Sequence, residues 1–530
     1  MGRDGFTAVD NAATGGPRPP GILPPPADGD PAATPRRLAP LDLLRGVAVC
    51  GILLMNIVDF GWPGDAYFRV AAPYYALDSI GPVDDPDEVD ARVARDDEGM
   101  SWVERERRRL ARQREQPRFP TGEIRFGAVS TDADRVEFVL AEIFVANKMR
   151  GLLSMLFGAG VVLSTAAVAA RGARAGRWHY RRMFWLAVIG AAHCYLLWEG
   201  DILLGYAAAG LWLYPLRNVG ARALAAVALG LVAAQVVIAW FLVPAIGWVD
   251  RRGAAVDARL VEMVARADAA DRGADAFAPG DDDLSKVDEF VLDFHRQFTS
   301  QRHDRQRPEL TTLAIRRRQN QGYAAGIVER FTSMIGAQAG ELLFGIVLWG
   351  TPMILGMALV KNGFLGGEWS AAAYRRWAVA GYAIGVPLAW AAVMVSLRGG
   401  VAFATYLRVV VPLELVATPA LVCAHVGAIL WAWRGGAFGS LGPRLEAVGA
   451  MALSNYLSQS LICSLLFFGH GLALAGTVPR TGLVVIAVVI WTLQLAWSPW
   501  WLARFRLGPA EWLWRSLTAW SCQPFLREHP

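Results

Sequence analysis

Residues 41–60 read LDLLRGVAVCGILLMNIVDF, a stretch in which apolar residues far outnumber polar ones. A bilayer-spanning helix needs about 20 mostly apolar residues, so this stretch predicts a transmembrane helix. Comparable apolar runs lie at about 151–170, 183–199, 201–216, 223–246, 337–360, 377–396, 409–433, 450–475 and 481–502. The sequence therefore predicts an all-α fold, a polytopic transmembrane helical bundle of about ten spans with two long polar extracytoplasmic loops.

The composition fits a membrane protein better than a soluble one. The chain has 530 residues, of which 54% are hydrophobic and 19% charged, and its mean hydropathy is +0.31. The formal net charge of +5 comes from Lys and Arg at the ends of apolar runs, where membrane topology selects them. We therefore expect the lipid bilayer, and no nucleic acid, as a partner. The five cysteines form no CxxC pair, and the pattern predicts no metal site.

Basic residues in the short connections set the predicted orientation, because cytoplasmic loops carry an excess of Lys and Arg. With ten spans and both termini inside, the arginine-rich short loops all fall on one side. These are the loops holding Arg171–Arg182, Arg217–Arg222, Lys361–Arg376, Arg434–Arg444 and Arg504–Arg515. We predict a multi-pass protein of the bacterial cytoplasmic membrane.

The predicted organisation has five parts. A Pro- and Gly-rich cytoplasmic tail (1–36) precedes N-terminal transmembrane helices (37–246) that carry a polar insertion at about 61–135. A polar extracytoplasmic loop (247–328) then leads to C-terminal transmembrane helices (329–520) and a short cytoplasmic tail (521–530). We interpret both polar regions as solvated helices that cap the bundle, and in the second one EFVLDFHRQF predicts one or two amphipathic turns.

Ionisable residues in the spans are the candidates for chemistry, because burying a charge in the bilayer is costly. Asp42 and Arg45 lie three residues apart, so they share a helix face and can pair. They either anchor the first span or present Arg45 to a cytosolic phosphate. Asn56, near the other end of this span, is a candidate for the outer mouth.

His193 lies about ten residues into the third predicted span, partway across the membrane. A single histidine in an apolar helix is commonly a packing residue, and that interpretation stays open. Two carboxylates follow it at the hairpin turn, and either Glu199 or Asp201 is placed to orient the imidazole. Asp201 is also suited to cap the fourth span.

A polar stripe in the ninth span joins Ser454 with Ser458 and Asn455 with Gln459, each pair at a spacing of four residues. Such a stripe either holds helices together or lines a cavity. Lys148, just before the second span, is placed outside and either lines the site or extends to the interface.

Five blocks of the sequence resemble the bacterial YeiB-like membrane proteins, the family of domain of unknown function 418. The blocks are LDLLRG at 41–46 with GIL at 51–53, NKMRGLLSMLFGAG at 147–160, His193 with GDIL at 200–203, MALSNYLSQS at 451–460, and GPAEWLWR at 508–515. The Pro-rich tail and the two charged regions depart from the family pattern as insertions.

This family is similar to membrane acyltransferases, which take an acyl group from cytosolic acyl-CoA and deliver it across the membrane. The resemblance implies no bound cofactor, acyl-CoA as co-substrate and a sugar or envelope glycan as acceptor. It places Arg45 and Asp42 at the CoA, His193 as base or acyl carrier, and Asp201 or Glu199 beside it. Asn455 and Gln459 would polarise the thioester. A small-molecule transporter and a non-catalytic scaffold or sensor are the alternatives.

Overall fold

The chain is almost entirely helical in the computed structural model. The structure describes residues 38–62, 73–75, 100, 102–115, 124–126, 131–270, 285–304, 308–334, 349–397 and 406–527. The predicted tail at 1–36 and parts of both polar regions lie outside the described residues. The predicted all-α fold is confirmed, with one small addition. Two strands of three residues each, Pro73–Tyr75 and Ile124–Phe126, pair antiparallel in the first polar region.

The helices are numbered here in chain order. Those of the N-terminal half are α1 (Ala39–Gly61), α2 (Trp102–Glu115), α3 (Asp132–Phe144), α4 (Lys148–Ala170), α5 (Ala175–Leu196), α6 (Leu203–Leu213), α7 (Ala221–Ala270), α8 (Lys286–Asp304) and α9 (Pro308–Asn320). The others are α10 (323–334), α11 (Gly350–Lys361), α12 (Ala371–Leu397), α13 (Val411–Arg434), α14 (Leu441–Ala450), α15 (Ala452–Phe467), α16 (Arg480–Arg504) and α17 (Pro509–Ala519).

Each predicted apolar run coincides with a helix, and the first part of the run at 337–360 lies outside the described residues. Among the described residues, six helical segments are long and apolar enough to cross a membrane, or seven if the bent pair α14–α15 counts as one span. Helices α6 and α11 are apolar but short. The protein is therefore a multi-pass membrane protein, and a count of about ten spans stays a prediction.

Glycines bring several pairs of the described helices into backbone contact, including the two pairs that follow. A Cβ atom at Gly158 of α4 would overlap the carbonyl of Met353 in α11, and one at Gly356 of α11 would overlap the carbonyl of Met155 in α4. The same reciprocal arrangement joins α1 to α14 through Gly46 and Gly449. Small residues allow this close approach in membrane bundles. Gly160, two residues further along α4, has no neighbour within 4 Å of the position that a Cβ atom would take.

Helices α14 and α15 meet at an angle of 85°, and the C-terminal helix α17 supplies groups that stabilise the break. Glu511 of α17 accepts hydrogen bonds from the main-chain N–H groups of Leu453 (2.6 Å) and Ser454 (3.1 Å). The hydroxyl of Ser454 in turn accepts from the N–H of Ala510 at 3.0 Å. Each helix start is thus capped by a side chain of the other, which satisfies main-chain donors that a break leaves free.

In the described parts of the polar regions, the helices are longer than expected. ERERRRLARQRE forms helix α2 as predicted, but the boundary expected at 246–247 lies inside α7, a single helix of 50 residues. The segment expected to form one or two amphipathic turns belongs to α8, which has 19 residues. Arg296 of α8 binds Glu106 of α2 and Asp257 of α7, each at 2.6 Å. An ion-pair network therefore joins these helices.

The glycine crossing between α4 and α11 predicts opposite outcomes for two substitutions on one helix. Gly158→Val should lower stability by about 1–3 kcal/mol, because its side chain meets main-chain atoms that cannot move aside. Gly160→Val, two residues away, has open space and serves as the control. Thermal unfolding in detergent, followed by tryptophan fluorescence, measures both. An equal loss in the two variants would contradict the crossing.

Candidate functional site

His193 lies in the last turn of α5 and is 2% exposed. Its Nδ1 atom is 2.8 Å from Oδ1 of Asp201, which follows the break between α5 and α6. The other carboxylate oxygen of Asp201 accepts a hydrogen bond from the main-chain N–H of Leu204 at 2.7 Å. Both sequence-based interpretations of Asp201 therefore apply to one carboxylate: it holds the imidazole and caps the start of α6.

The second ring nitrogen of His193 has no hydrogen-bond partner among the described residues. Because a carboxylate accepts at Nδ1, the neutral imidazole carries its proton there and a lone pair at Nε2. A buried nitrogen left in this state is a candidate base or nucleophile. The ring of Tyr456 lies beside it, with the centroids 5.0 Å apart, and the Tyr456 side chain is buried.

Tyr456 was not identified from the sequence, although it stands inside the quoted block MALSNYLSQS. The sequence did contain a feature that could have singled it out, because a tyrosine between Asn455 and Leu457 in a span places a hydroxyl group among apolar groups. An aromatic residue in a transmembrane helix is normally a packing residue, which is why the pattern did not single it out. The structure places it at the imidazole.

Glu199 is not a partner of His193. It pairs with Arg318 of α9 at 2.6 Å, and the Arg318 guanidinium also donates to the main-chain carbonyl of Asp59 in α1. The Asp59 carboxylate accepts a hydrogen bond from the Trp198 indole N–H at 2.9 Å. Arg318 was missed because it belongs to a region interpreted as a solvated loop.

Helices α9 and α10 close the bundle over this network. Ile315 of α9 is fully buried beside Trp62 and Trp198. Arg330 of α10 donates to the Tyr195 carbonyl at 2.9 Å, and Phe331 stacks on the Tyr195 ring at 4.0 Å. The second polar region therefore covers the end of the bundle where His193 lies, which we call the Asp59 end.

The predicted depth of His193 needs correction. Helix α5 begins at Ala175, not near residue 183, so His193 follows 18 residues of helix rather than ten. Charged side chains in its first turns, including Arg182, masked the beginning of this helix in the hydropathy pattern. His193 is therefore near the end of the helix, beside Trp198 and the Asp59 network.

Arg45 and Asp42 lie at the opposite end of α1. Their side chains pair at 2.6 Å, as their spacing predicts, and the Arg45 side chain is 29% exposed. From Arg45 to Asp59 the helix rises roughly 21 Å at 1.5 Å per residue. The structure thus keeps Arg45 and His193 apart, one at each end of the bundle. Asn56 lies one turn before Asp59 and is half-buried.

The polar stripe of α15 is engaged in helix contacts. The amide of Asn455 donates to the Val448 carbonyl and to Ser498, each at 3.1 Å, and its oxygen accepts from the Trp497 indole at 3.0 Å. Gln459 donates to Gln494 of α16 at 2.9 Å, and Ser454 contributes to the cap described above. These contacts favour the packing interpretation of Ser454, Asn455 and Gln459 over polarisation of a thioester.

Lys148 does not extend to the interface, because its side chain is 1% exposed. Its ammonium donates to the Glu414 carboxylate of α13 and to the main-chain carbonyl of Glu142, both at 2.8 Å. This is another ionisable pair in the bundle, with Lys148 buried and Glu414 half-buried. His425 of α13 lies in the same region and bonds to the carbonyl of Phe144 at 2.9 Å.

The cover formed by α9 predicts that removing the Arg318 side chain opens the Asp59 end. Cys194 follows His193, is buried, and lies against the Glu199 carbonyl. In a variant whose other four cysteines are alanine, Arg318→Ala should raise the rate of Cys194 modification by a maleimide severalfold. Arg252→Ala, which breaks an exposed pair with Asp288 in the same region, is the control. An unchanged Cys194 rate in Arg318→Ala would contradict the proposed cover.

The chain has relatives over nearly its whole length. It is 25% identical over 499 residues to the uncharacterized protein YxaH of Bacillus subtilis (strain 168), covering 94% of this chain and 98% of that protein. It is 26% identical over 481 residues to the uncharacterized protein YeiB of Escherichia coli (strain K12), covering 90% and 95%. No solved structure matches the chain.

One family also matches directly. Residues 359–521 match the family described as "Protein of unknown function (DUF418)". Together with the two relatives, this match supports the resemblance seen in the sequence motifs: residues 359–521 match the DUF418 family, and the chain is similar to YeiB and YxaH over nearly its whole length.

Proposed function

We propose that this protein transfers an acyl group from cytosolic acyl-CoA to an acceptor on the other side of the membrane, such as a sugar or envelope glycan. One observation carries the proposal. A buried imidazole is oriented by a carboxylate at Nδ1, while its Nε2 atom has no hydrogen-bond partner among the described residues. That arrangement suits acid–base and nucleophilic chemistry.

Two routes use the same nitrogen. In the first, the Nε2 lone pair attacks the thioester carbonyl carbon, a C–N bond forms, the C–S bond breaks and CoA leaves as a thiolate. The acceptor hydroxyl then attacks the acyl-imidazole, the C–N bond breaks, and the hydroxyl proton passes to the CoA thiolate, which restores free His193 and yields the ester and CoA. In the second, Nε2 takes the proton of the acceptor hydroxyl while the oxygen attacks the thioester carbon, the C–S bond breaks, and the imidazolium gives the proton to the departing CoA thiolate. Asp201 stabilises the positive imidazole in both.

Tyr456 supports either route. A tetrahedral intermediate places negative charge on the former carbonyl oxygen, and a hydroxyl donor in a water-poor site stabilises such an oxygen strongly. The Tyr456 side chain is buried beside His193, with the two ring centroids 5.0 Å apart. We assign it the role of oxyanion donor within this proposal.

The topology completes the proposal. We place both termini in the cytoplasm of a bacterium, with the protein in its cytoplasmic membrane, because this orientation puts the arginine-rich short connections inside. Arg45 and Asp42 then face the cytosol and the CoA. The Asp59 end, under α9 and α10, faces the acceptor, so the acyl group crosses the membrane during transfer.

Acyl transfer should depend on His193 and on its orientation by Asp201. We expect His193→Ala and Asp201→Asn to lower acceptor-dependent CoA release from labelled acyl-CoA by about 10²–10⁴-fold, the usual contribution of a positioned base. The assay uses purified protein in proteoliposomes with envelope glycans as acceptors. His425→Gln, which alters another buried histidine, should retain most activity. Wild-type rates in His193→Ala would overturn the proposal.

Proton-coupled transport of a small molecule is a second candidate, favoured by the buried Lys148–Glu414 pair. Ionisable pairs inside membrane bundles often mark ion or proton pathways. If the protein is a transporter, Lys148→Met should abolish substrate flux into vesicles under a proton gradient, while His193→Ala should leave flux largely intact. Flux that depends on His193 and not on Lys148 would argue against this candidate.

A further inference from the structure

Arg150, in the first turn of α4, is a positive charge near the middle of the bundle. A Cβ atom at Gly51, halfway along α1, would overlap the side chain of Met149, the residue before it. Gly51 is six residues from Arg45 and eight from Asp59, so a rise of roughly 9–12 Å separates this level from either end. A charged side chain at such a depth is costly, and it normally has a partner, a water-filled cavity or a ligand.

No carboxylate neutralises Arg150 in the part of the chain that the structure describes. Its Nη2 atom donates to Oδ1 of Asn147 at 2.6 Å, and its guanidinium lies over the Trp349 ring, 5.0 Å from the centroid. Both partners are neutral, and the Arg150 side chain is half-buried. Lys148 differs, because Glu414 compensates its charge at 2.8 Å. The bundle therefore positions Arg150 without cancelling its charge.

The indole that supports Arg150 is itself fixed by α6 and has an unused donor. A Cβ atom at Gly205 would lie 2.7 Å from Nε1 of Trp349, so the indole packs directly on the α6 backbone. The Tyr206 ring lies 5.7 Å away, between ring centroids. The Nε1 atom is buried and has no acceptor among the described residues. The guanidinium is thus held rigidly, and it is held by groups that leave its charge available.

Arg150 lies against α6, the helix whose first turn holds the partner of His193. The Tyr206 hydroxyl donates to the Arg150 main-chain carbonyl at 3.1 Å. Tyr206 is two residues from Leu204, whose N–H the Asp201 carboxylate caps, and two residues correspond to roughly 3 Å of helix rise. One turn of α6 therefore connects the arginine to the carboxylate that orients the imidazole.

We propose that Arg150 binds a carboxylate group that a substrate carries into the bundle. One guanidinium neutralises one carboxylate, and its planar edge matches the two oxygens. A phosphate monoester carries a charge of about −1.5 to −2, part of which would stay unpaired at this depth. A lipid phosphate lies at the headgroup level, outside a hydrocarbon core about 30 Å thick. The carboxylate therefore fits the position best.

The identity of the substrate rests on the proposed function. Within acyl transfer, the carboxylate belongs either to the acyl donor, which is then the CoA thioester of a dicarboxylic acid, or to the acceptor, which is then a sugar acid. Succinyl-CoA represents the first class and a glucuronate glycan the second. The carboxylate chemistry at Arg150 is the same in both cases.

Paired substrates distinguish the two sources. Succinyl-CoA and butyryl-CoA differ only in the far end of the acyl group, a carboxylate in the first and a methyl group in the second. If the donor carries the carboxylate, Arg150→Gln should lower kcat/KM for succinyl-CoA by about tenfold to a hundredfold, the effect of losing a charged hydrogen bond, and leave butyryl-CoA unchanged. If the acceptor carries it, the same loss should appear for a glucuronate acceptor and not for its glucose counterpart.

Arg504→Gln is the matched control. Arg504 also lies over a tryptophan ring, 4.4 Å from the centroid, but it is exposed at the end of α16. This variant should keep the substrate preferences of the wild type. Unchanged preferences in Arg150→Gln for both substrate pairs would overturn the carboxylate site. Equal loss with charged and uncharged substrates would overturn it as well, since Arg150 would then have a structural role only.

Direct binding tests the site without catalysis. Calorimetry with the full-length protein in nanodiscs of zwitterionic lipid should detect succinate or glucuronate, with an affinity that falls at least tenfold in Arg150→Gln. If that variant does not fold, Asn147→Gly replaces it. Asn147 has a φ of 58°, which glycine adopts freely, and the change removes the oxygen that positions Arg150. It should weaken binding severalfold, and unchanged affinity there counts equally against the site.

The two proposals fail in different ways. A protein that binds succinate or glucuronate through Arg150 but transfers no acyl group would overturn the proposed function alone. A protein that transfers acyl groups through His193, binds neither carboxylate and has the same preferences in Arg150→Gln would overturn the carboxylate site alone.

Discussion

An imidazole buried in a membrane bundle has only the hydrogen-bond partners that neighbouring helices supply, and His193 has one of the two it can use. Asp201 binds Nδ1 and simultaneously caps α6, so one carboxylate fixes both the side chain and the turn that presents it. Leaving a buried polar atom without a partner costs about 1–3 kcal/mol. Buried polar groups such as Lys148 and Asn455 are engaged with neighbours, whereas Nε2 of His193 has no hydrogen-bond partner among the described residues.

The two ends of the bundle, named here for Arg45 and Asp59, are built from different groups. At the Arg45 end, the mutual caps of α15 and α17 hold the C-terminal helix against the bundle, and Trp514 of that helix supports Arg182. At the Asp59 end, Arg318 joins α9 to the bundle above His193. This arrangement suits two substrates that enter from opposite ends. In the proposed reaction, the polar part of acyl-CoA approaches from the Arg45 end and the acceptor approaches from the Asp59 end.

The fold was predictable where a single physical constraint dominates the sequence. Twenty apolar residues in succession indicate a membrane helix regardless of context, so helix positions such as 41–60 were right. The beginning of α5 was mispredicted because its arginines interrupt the apolar run. The depth of His193 was wrong for the same reason, since it was counted from that beginning. The length of α7 was missed because nothing in a polar sequence requires a helix to stop at the membrane surface.

The site was predictable only in part, for a similar reason. Spacing along one helix correctly paired Asp42 with Arg45, and proximity in sequence brought Asp201 near His193. Contacts between distant segments leave no such pattern: Arg318 with Glu199, Lys148 with Glu414 and Arg182 with Trp514 each depend on how helices pack. The polar stripe of Asn455 and Gln459 shows the converse, because a stripe that suits a cavity suits a helix interface equally well.

The most direct test of acyl transfer at His193 is a cryo-EM structure with a non-hydrolysable thioether analogue of acyl-CoA. If His193 carries out the transfer, the carbon replacing the thioester carbonyl lies roughly 3–3.5 Å from Nε2 of His193, the distance of a reactive complex. An analogue that binds elsewhere, with the His193–Asp201 pair still closed to it, would contradict acyl transfer at His193.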